Sequence, residues 1–424
     1  MRALILACLL LLAAPALGQA APRWPYAGLQ LGLEDNEGGA AALQSSAPMG
    51  FRYHYLAGGV NTSETWQNWG QGNGSFVRTF IDDSASHGFV PAFTYYELRQ
   101  SEPGRSTGDE EAAVVQNLQS RETMRAYFAD LERFFEIAAA TGKTTLLHVE
   151  PDAWGYLQRR AGNDARSLHV ELPGDSEPNT VAGFAQRIVK LRDRVAPSVL
   201  LGYHVSIWGT GKDIAVTNEP DDAVDALAKQ AADFRKTLGT TFDTTFFEMT
   251  DRDAGYAQNR DGQSAQMAWW DDDDFSRLAR FIAGFRSRVP APVVLWQVPL
   301  GNERMRAMDN SPHHYQDNKV EKLLADPART RLREFVRAGV VAVLFGGGQA
   351  ESTCACDGAK DGVTNPSPVT GNTRVSRSSD DDGGLFREFA TRYRRQGALA
   401  LASKVRAPSR AKGGGQGSSA ANSG

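Results

Sequence analysis

Residues 144 to 157 read Thr144-Thr-Leu-Leu-His-Val-Glu150-Pro-Asp152-Ala-Trp154-Gly-Tyr-Leu157, a short apolar run that ends in a carboxylate and passes into an aromatic segment with a proline. β-branched and apolar residues bounded by proline mark a buried strand with a turn behind it. The pattern recurs in Thr244-Thr-Phe-Phe-Glu248-Met-Thr-Asp251-Arg-Asp253 and in Ala27-Gly-Leu-Gln-Leu-Gly-Leu-Glu34-Asp35. Three strands that each end in acids point to one shared site at their C-terminal ends.

Working outward, apolar runs at 27–33, 51–56, 90–96, 144–149, 199–205, 244–249, 293–298 and 340–345 bring the expected strands to about eight. Between them lie amphipathic helical stretches at 75–86, 121–141, 181–194, 222–238, 274–288, 319–337 (broken near Pro327) and 385–395. Four of these end at Gly88, Gly142, Gly239 or Gly339, where glycine supplies the left-handed helix cap and a short joint to the next strand. The opposite joints, 99–111, 151–178, 250–272, 299–316 and 346–384, are long and rich in Gly, Pro, Asp and Trp. Alternating strands and helices with long loops on one side predict an α/β fold, a single-domain (β/α)8 TIM-type barrel with its site at the C-terminal face.

Composition narrows the function. The first 18 residues carry one arginine, an apolar core and small residues, the layout of a secretory signal peptide. The expected organisation is a signal peptide over 1–18, a barrel domain over 19–402 and a disordered Gly/Ser-rich tail over 403–424, in a secreted or periplasmic, monomeric protein without membrane insertion. A net charge of −4 offers no electrostatic footprint for nucleic acid. Of 3 cysteines, Cys8 leaves with the leader, and Cys354 and Cys356 either close a small Cys-x-Cys ring or remain loop thiols. Two thiols alone make a poor zinc site, so neither metal nor cofactor is expected. The acids Asp271 to Asp274 read as a helix cap, and Asp380 to Asp382 as a solvated loop opening a helix.

Side chains alternate along a barrel strand between the interior and the helix side. Packing Leu29, Leu31 and Leu33 under the helices turns Gln30 and Glu34 inward. The same rule, with the polar set inward, assigns Arg52, His54, His148, Glu150, His204, Glu248 and Gln297 to the interior. So polar a set costs several kcal/mol per unpaired group in a structural core, which favours a functional site.

Paired carboxylates suit glycoside hydrolysis, in which one acid protonates the leaving oxygen and the other attacks the anomeric carbon or activates water. Glu150, Glu248 and Asp251 are the catalytic candidates. Substrate-binding candidates are Glu34, Asp35, His54, Glu97, His148 and Asp152, together with Trp154, His204, Trp208, Asp253, Trp296 and Gln297. Most of the 8 tryptophans fall in or beside the long loops, and flat rings stack on a pyranose face.

In these features the chain resembles the secreted (β/α)8-barrel glycoside hydrolases. An acid after strand four and another on strand six is similar to the α-galactosidase clan, which implies a strand-four nucleophile and a strand-six acid/base. The clan with a strand-seven nucleophile fits worse, because Leu295-Trp-Gln-Val-Pro-Leu-Gly-Asn302 carries no acid. Val149-Glu-Pro-Asp152 and Asp251-Arg-Asp253 are each similar to a motif of the family 6 cellulases but occur in reversed order, and no motif names a family. The expected activity is that of a glycosidase acting on a polysaccharide or oligosaccharide. The alternatives are a non-catalytic carbohydrate-binding barrel and a metal-dependent hydrolase, the latter lacking the strand-one His-x-His of amidohydrolases.

Overall fold

Each apolar run becomes a strand: β1 Gln30–Glu34, β2 Phe51–Leu56, β3 Val90–Tyr95, β4 Thr145–Val149, β5 Val199–Val205, β6 Thr244–Glu248, β7 Val293–Val298 and β8 Val340–Phe345. The strands are all parallel and hydrogen-bonded in sequence order, with β8 returning to β1, so the sheet closes as a (β/α)8 barrel. The structure, a computed structural model, describes residues 24–46, 49–174, 176–250, 252–348, 350–363 and 379–402. The signal peptide and the tail expected from the sequence lie outside these residues, as does Asp251. Among the described residues no helix is long and apolar enough to cross a membrane.

The helices follow the amphipathic stretches closely. Arg121–Thr141 and Leu385–Arg395 form over the expected spans, and the stretch expected at 319–337 divides into Lys319–Leu324 and Thr330–Ala338. Gly142 stops the long helix at φ 64° while its N–H reaches the Ala139 carbonyl, a conformation that costs glycine nothing. Asp271 caps the helix Asp272–Arg286 through a reciprocal capping box with Asp274, as the run of acids predicted. The long joints are less irregular than expected, since Glu110–Leu118 and Ala153–Arg160 are helical.

Two apolar layers hold the barrel. Between strands and helices sit Leu31, Phe93, Leu147, Leu201, Phe247 and Leu295, packed on helix residues such as Phe80, Phe134, Phe184 and Phe281. Inside the barrel Phe51, Tyr53, Leu146, Leu200, Phe246 and Val294 form a second, inner apolar cluster. Below, the segment after the last helix closes the barrel, with Leu29 N–H donating to the Leu399 carbonyl and Leu401 N–H to that of Ala27.

The parity expected for β2 is reversed. Phe51 and Tyr53 point into the barrel, and Arg52 and His54 point to the helix side. Arg52 is fully buried because every direction of its guanidinium is satisfied: Asp35 at 2.7 Å, Asp83 at 3.0 Å, Ser84 Oγ at 2.9 Å and the Asn36 carbonyl at 2.7 Å. His54 packs among Trp69, Phe76 and Phe80 and does not reach the mouth, so it is no substrate ligand. A buried cation with a complete set of partners satisfies the energetic rule as well as an apolar side chain does, which a polar-inward assumption overlooks.

The segment 379–382 also departs from expectation. Asp380, Asp381 and Asp382 are buried rather than solvated. Asp382 accepts the N–H groups of Gly384 and Phe386 at the start of the last helix, Asp380 pairs with Arg387, and Asp381 accepts the Gly358 N–H. Cys354 and Cys356 are joined in a disulfide beside them.

Candidate active site

The decisive local feature is the exit of β4. Alternation holds through His148, which is inward, and Val149, which is outward, and then breaks: Glu150 has φ 47° and Asp152 has φ 63°. Left-handed backbone at two non-glycine residues so close together costs of the order of 1–3 kcal/mol each and persists only where the surroundings enforce it. The consequence is an exchange of roles. Glu150 keeps the ladder through its N–H to the Tyr95 carbonyl at 2.7 Å, but its carboxylate turns away from the mouth and accepts the N–H groups of Glu97 and Leu98 at 3.2 Å each. It is fully buried beside Tyr127 of the long helix, and burial pushes its carboxyl up to about 8. The expectation that Glu150 faces the cavity is therefore corrected, and Asp152 comes to the cleft in its place.

Glu97 and Trp154 leave the cleft with Glu150. Glu97 is buried and accepts the Gly59 N–H at 2.6 Å, and burial raises its carboxyl. Trp154 donates Nε1–H to the Val149 carbonyl at 2.9 Å and packs on Phe184, Tyr203 and Phe242, so it is core and no sugar platform. Asp253, another expected ligand, is a buried clamp: it accepts the N–H groups of Gly301 at 2.8 Å and Thr353 at 3.0 Å and ties two long loops together.

What remains at the mouth is a cleft of about 550 Å³ whose lining includes Asp152, Trp208, Glu248, Trp296 and Gln297. Glu248 extends inward from the end of β6, the choice that puts Phe247 and Met249 outside, and Trp208 donates Nε1–H to its Oε1 at 3.0 Å. The Trp208 ring lies 4.9 Å from that of Tyr156, with the Arg159 guanidinium 5.0 Å from the indole. On β7 the register shifts between Leu295 and Val298, and Gln297 adopts φ 56°. That irregularity presents both Trp296 and Gln297 to the cleft while Val298 returns to the outer core.

Beyond Tyr55 and Tyr96 the cleft continues into a second chamber of about 610 Å³, walled by Glu34, Asp35, His313 and Arg387. Both tyrosines line both chambers, so they stand at the junction. Burial pushes the Glu34 carboxyl up to about 8. Asp35 is anchored by Arg52. Tyr55, Tyr96 and Tyr156 were missed from sequence, though two signals for them existed: Tyr55 continues the apolar set of β2, and Tyr156 stands one helical turn beyond Asp152.

Beneath the first chamber lies a row of buried polar groups. His148 Nδ1 is 3.3 Å from Thr94 Oγ1, and His148 Nε2 is 3.0 Å from His204 Nδ1. Phe246 stacks on His148 with ring centroids 4.0 Å apart, in space left open by Gly202, where a Cβ would collide with the phenyl ring. One ring nitrogen of His204, one oxygen of Asp152 and one of Glu248 lie within 4.8 Å of one another. This is the group of side chains at the cleft whose spacing approaches that of a metal site. The other such group among the described residues, Cys354, Cys356 and Asp381, has its cysteine sulfurs joined in the disulfide.

The sequence matches no protein-family model and no curated protein. Solved structures similar in fold include a modular endo-β-1,4-mannanase from Cellulomonas fimi at 10% identity and a TM-score of 0.48, over 91% of this chain and 75% of that one. A β-glucosidase from Thermotoga maritima is similar at 9% identity and a TM-score of 0.48, over 85% of each chain. A β-mannanase from a symbiotic protist of the termite Reticulitermes speratus is similar at 12% identity and a TM-score of 0.41, over 90% of this chain and 91% of that one. The likeness is one of barrel architecture alone.

Proposed function

We propose that this protein is a glycosidase acting on a polysaccharide or oligosaccharide outside the cytoplasm, with Asp152 and Glu248 as its reacting carboxylates. The carrying observation is their approach: carboxylate oxygens within 4.8 Å, across a cleft lined by tyrosines and tryptophans. Retaining glycosidases hold their two carboxyl groups about 5–5.5 Å apart, and inverting ones leave about 6.5–9.5 Å to admit a water. The spacing here supports retention. One carboxylic acid gives its proton to the glycosidic oxygen as the C–O bond breaks, while the other carboxylate bonds to the anomeric carbon. Water then cleaves that ester, losing its proton to the first carboxylate, and both groups return to their starting state.

The cleft suits such a substrate. Trp208, Tyr156, Tyr55 and Trp296 offer ring faces and edges, and Gln297, Asp152 and Glu248 offer hydrogen-bonding groups for hydroxyls. The second chamber lengthens the groove beyond one sugar. Delivery outside the cytoplasm rests on the leader-like residues 1–18.

Release of reducing ends from soluble mannan, xylan, β-glucan and galactan tests the reading, with Asp152→Asn and Glu248→Gln as controls. Turnover of at least one polymer is expected, with a loss of about 100-fold or more in each variant and products of retained configuration by proton NMR. Undiminished turnover in both variants refutes the assignment.

A further inference from the structure

Resting on that reading, we propose that His204 is a third recognition group of the site, presenting a neutral Nε2–H donor that binds a sugar hydroxyl oxygen between Asp152 and Glu248, with His148 and Thr94 fixing its tautomer.

The argument is an accounting of protons. Burial lowers both imidazoles, His204 to about 3 and His148 well below its ordinary value, so both are neutral and each carries one N–H. A single proton joins His148 Nε2 to His204 Nδ1. If His204 Nδ1 held it, His148 would be protonated at Nδ1 and would donate to Thr94 Oγ1, leaving the buried threonine hydroxyl proton without an acceptor among the described residues. If His148 Nε2 holds it, the Thr94 hydroxyl donates to His148 Nδ1 and His148 Nε2–H donates to His204 Nδ1. Both bonds of the row are then made, and the remaining proton stands on His204 Nε2, the one group of the row without a partner among the described residues. The first arrangement leaves two groups unpaired, the Thr94 hydroxyl proton and the His204 Nε2 lone pair, and the second leaves only His204 Nε2–H, so the second is favoured by the cost of one buried unsatisfied group, about 1–3 kcal/mol.

Among the described residues His204 Nε2 has no hydrogen-bond partner, although its side chain is fully buried. A donor so placed calls for an acceptor, and the surroundings define where that acceptor sits. Three atoms within 4.8 Å of one another leave a point no more than about 2.8 Å from each, so a single oxygen there is within hydrogen-bond reach of a His204 ring nitrogen and of both carboxylates. An oxygen there accepts from His204 and gives its own proton to one carboxylate. A hydroxyl does both. A nitrogen that carries a proton has no lone pair for a metal, so the same accounting argues for the alcohol and against the cation.

Nitrogen-15 NMR of the seven histidines, with the His204 signals identified by their loss in His204→Gln, tests this without reference to activity. At pH 7 we expect His204 neutral, protonated at Nε2 and bare at Nδ1, unchanged by added Zn²⁺, and shifted toward the Nδ1–H form in Thr94→Val. The Nδ1–H tautomer in the unaltered protein, or Zn²⁺ displacing the Nε2 proton, overturns the proposal. On whichever polymer yields reducing ends, His204→Gln, which keeps an N–H donor, should stay within about tenfold of the parent kcat/KM, while His204→Leu loses about 100-fold at unchanged folding. Equal losses in the two variants also overturn it. Failure of every polymer sinks the hydrolase reading but leaves the tautomer result standing.

Discussion

Replacing Glu150 with glutamine should raise stability in alkaline solution and leave turnover in place. In the folded protein its carboxyl is shifted from 4.5 to about 8, first by burial, against which the Glu97 and Leu98 N–H groups act. A folded-state value above the unfolded one means that the native protein holds a proton which the unfolded chain releases. The contribution is present in full below about 4.5 and is lost as pH climbs through about 8. At about 1.4 kcal/mol per pH unit the gap corresponds to roughly 5 kcal/mol, and relaxation around the charged form makes 3 kcal/mol a realistic expectation. Glutamine does not titrate, its oxygen can accept the same two backbone N–H groups, and its amide can donate to the neighbouring Tyr127 Oη or to Glu97 Oε1, the latter without a partner among the described residues. Urea unfolding of the two proteins at intervals from pH 5 to pH 9 isolates the effect, since Glu97 and Asp130 titrate in both. The difference should open steadily in favour of the variant above pH 5. Parallel curves would refute the linkage argument, and a 100-fold loss of turnover would return Glu150 to the chemistry.

Three further substitutions probe separate parts of the design. Trp208→Phe keeps a ring in the cleft but removes the N–H held 3.0 Å from Glu248, and kcat should fall about 10- to 100-fold with KM little changed; an unchanged kcat would show that this bond has no part in turnover. Arg52→Met leaves Asp35 and Asp83 without their shared cation and should cost about 3 kcal/mol in urea unfolding, whereas a loss under about 1 kcal/mol would mean the pair is solvated in solution. Gly202→Ala drives a methyl group into the Phe246 ring and should cost about 1–3 kcal/mol while disturbing the His148 resonances, and an unperturbed His148 spectrum would contradict the packing described.

The sequence was most legible where one periodicity spoke alone. On β1 the leucines 29, 31 and 33 occupy one face entirely, and Glu34 falls on the other, where the structure places it. On β6 Phe246 and Phe247 leave the parity ambiguous, and the choice that puts Phe247 and Met249 outside, which turns Glu248 to the mouth, is the one the structure adopts. On β2 one alternating set is aromatic, Phe51, Tyr53 and Tyr55, and the other is Arg52, His54 and Leu56, and alternation alone does not say which of them faces the interior. The choice is made by partners far off in the chain: Asp83 and Ser84 on the helix Ser75–Ser86 receive Arg52 from outside the barrel, and nothing within Phe51–Leu56 announces them.

The exit of β4 shows a different kind of illegibility. A left-handed residue is anticipated first from glycine or asparagine, and here positive φ falls on an aspartate and on a glutamate, whose own preference opposes it. What enforces it is tertiary: two N–H groups after β3 need an acceptor, and the Glu150 carboxylate is the one that reaches them. Once that bond forms, the turn delivers Asp152 to the cleft, close to Glu248. A carboxylate buried for its hydrogen bonds and a carboxylate exposed to a substrate stand two residues apart in Val149-Glu-Pro-Asp152, with the same charge and the same flanking aromatics. Telling them apart requires knowing where the backbone of Glu97 and Leu98 runs, and that is a property of the closed barrel rather than of any segment in it.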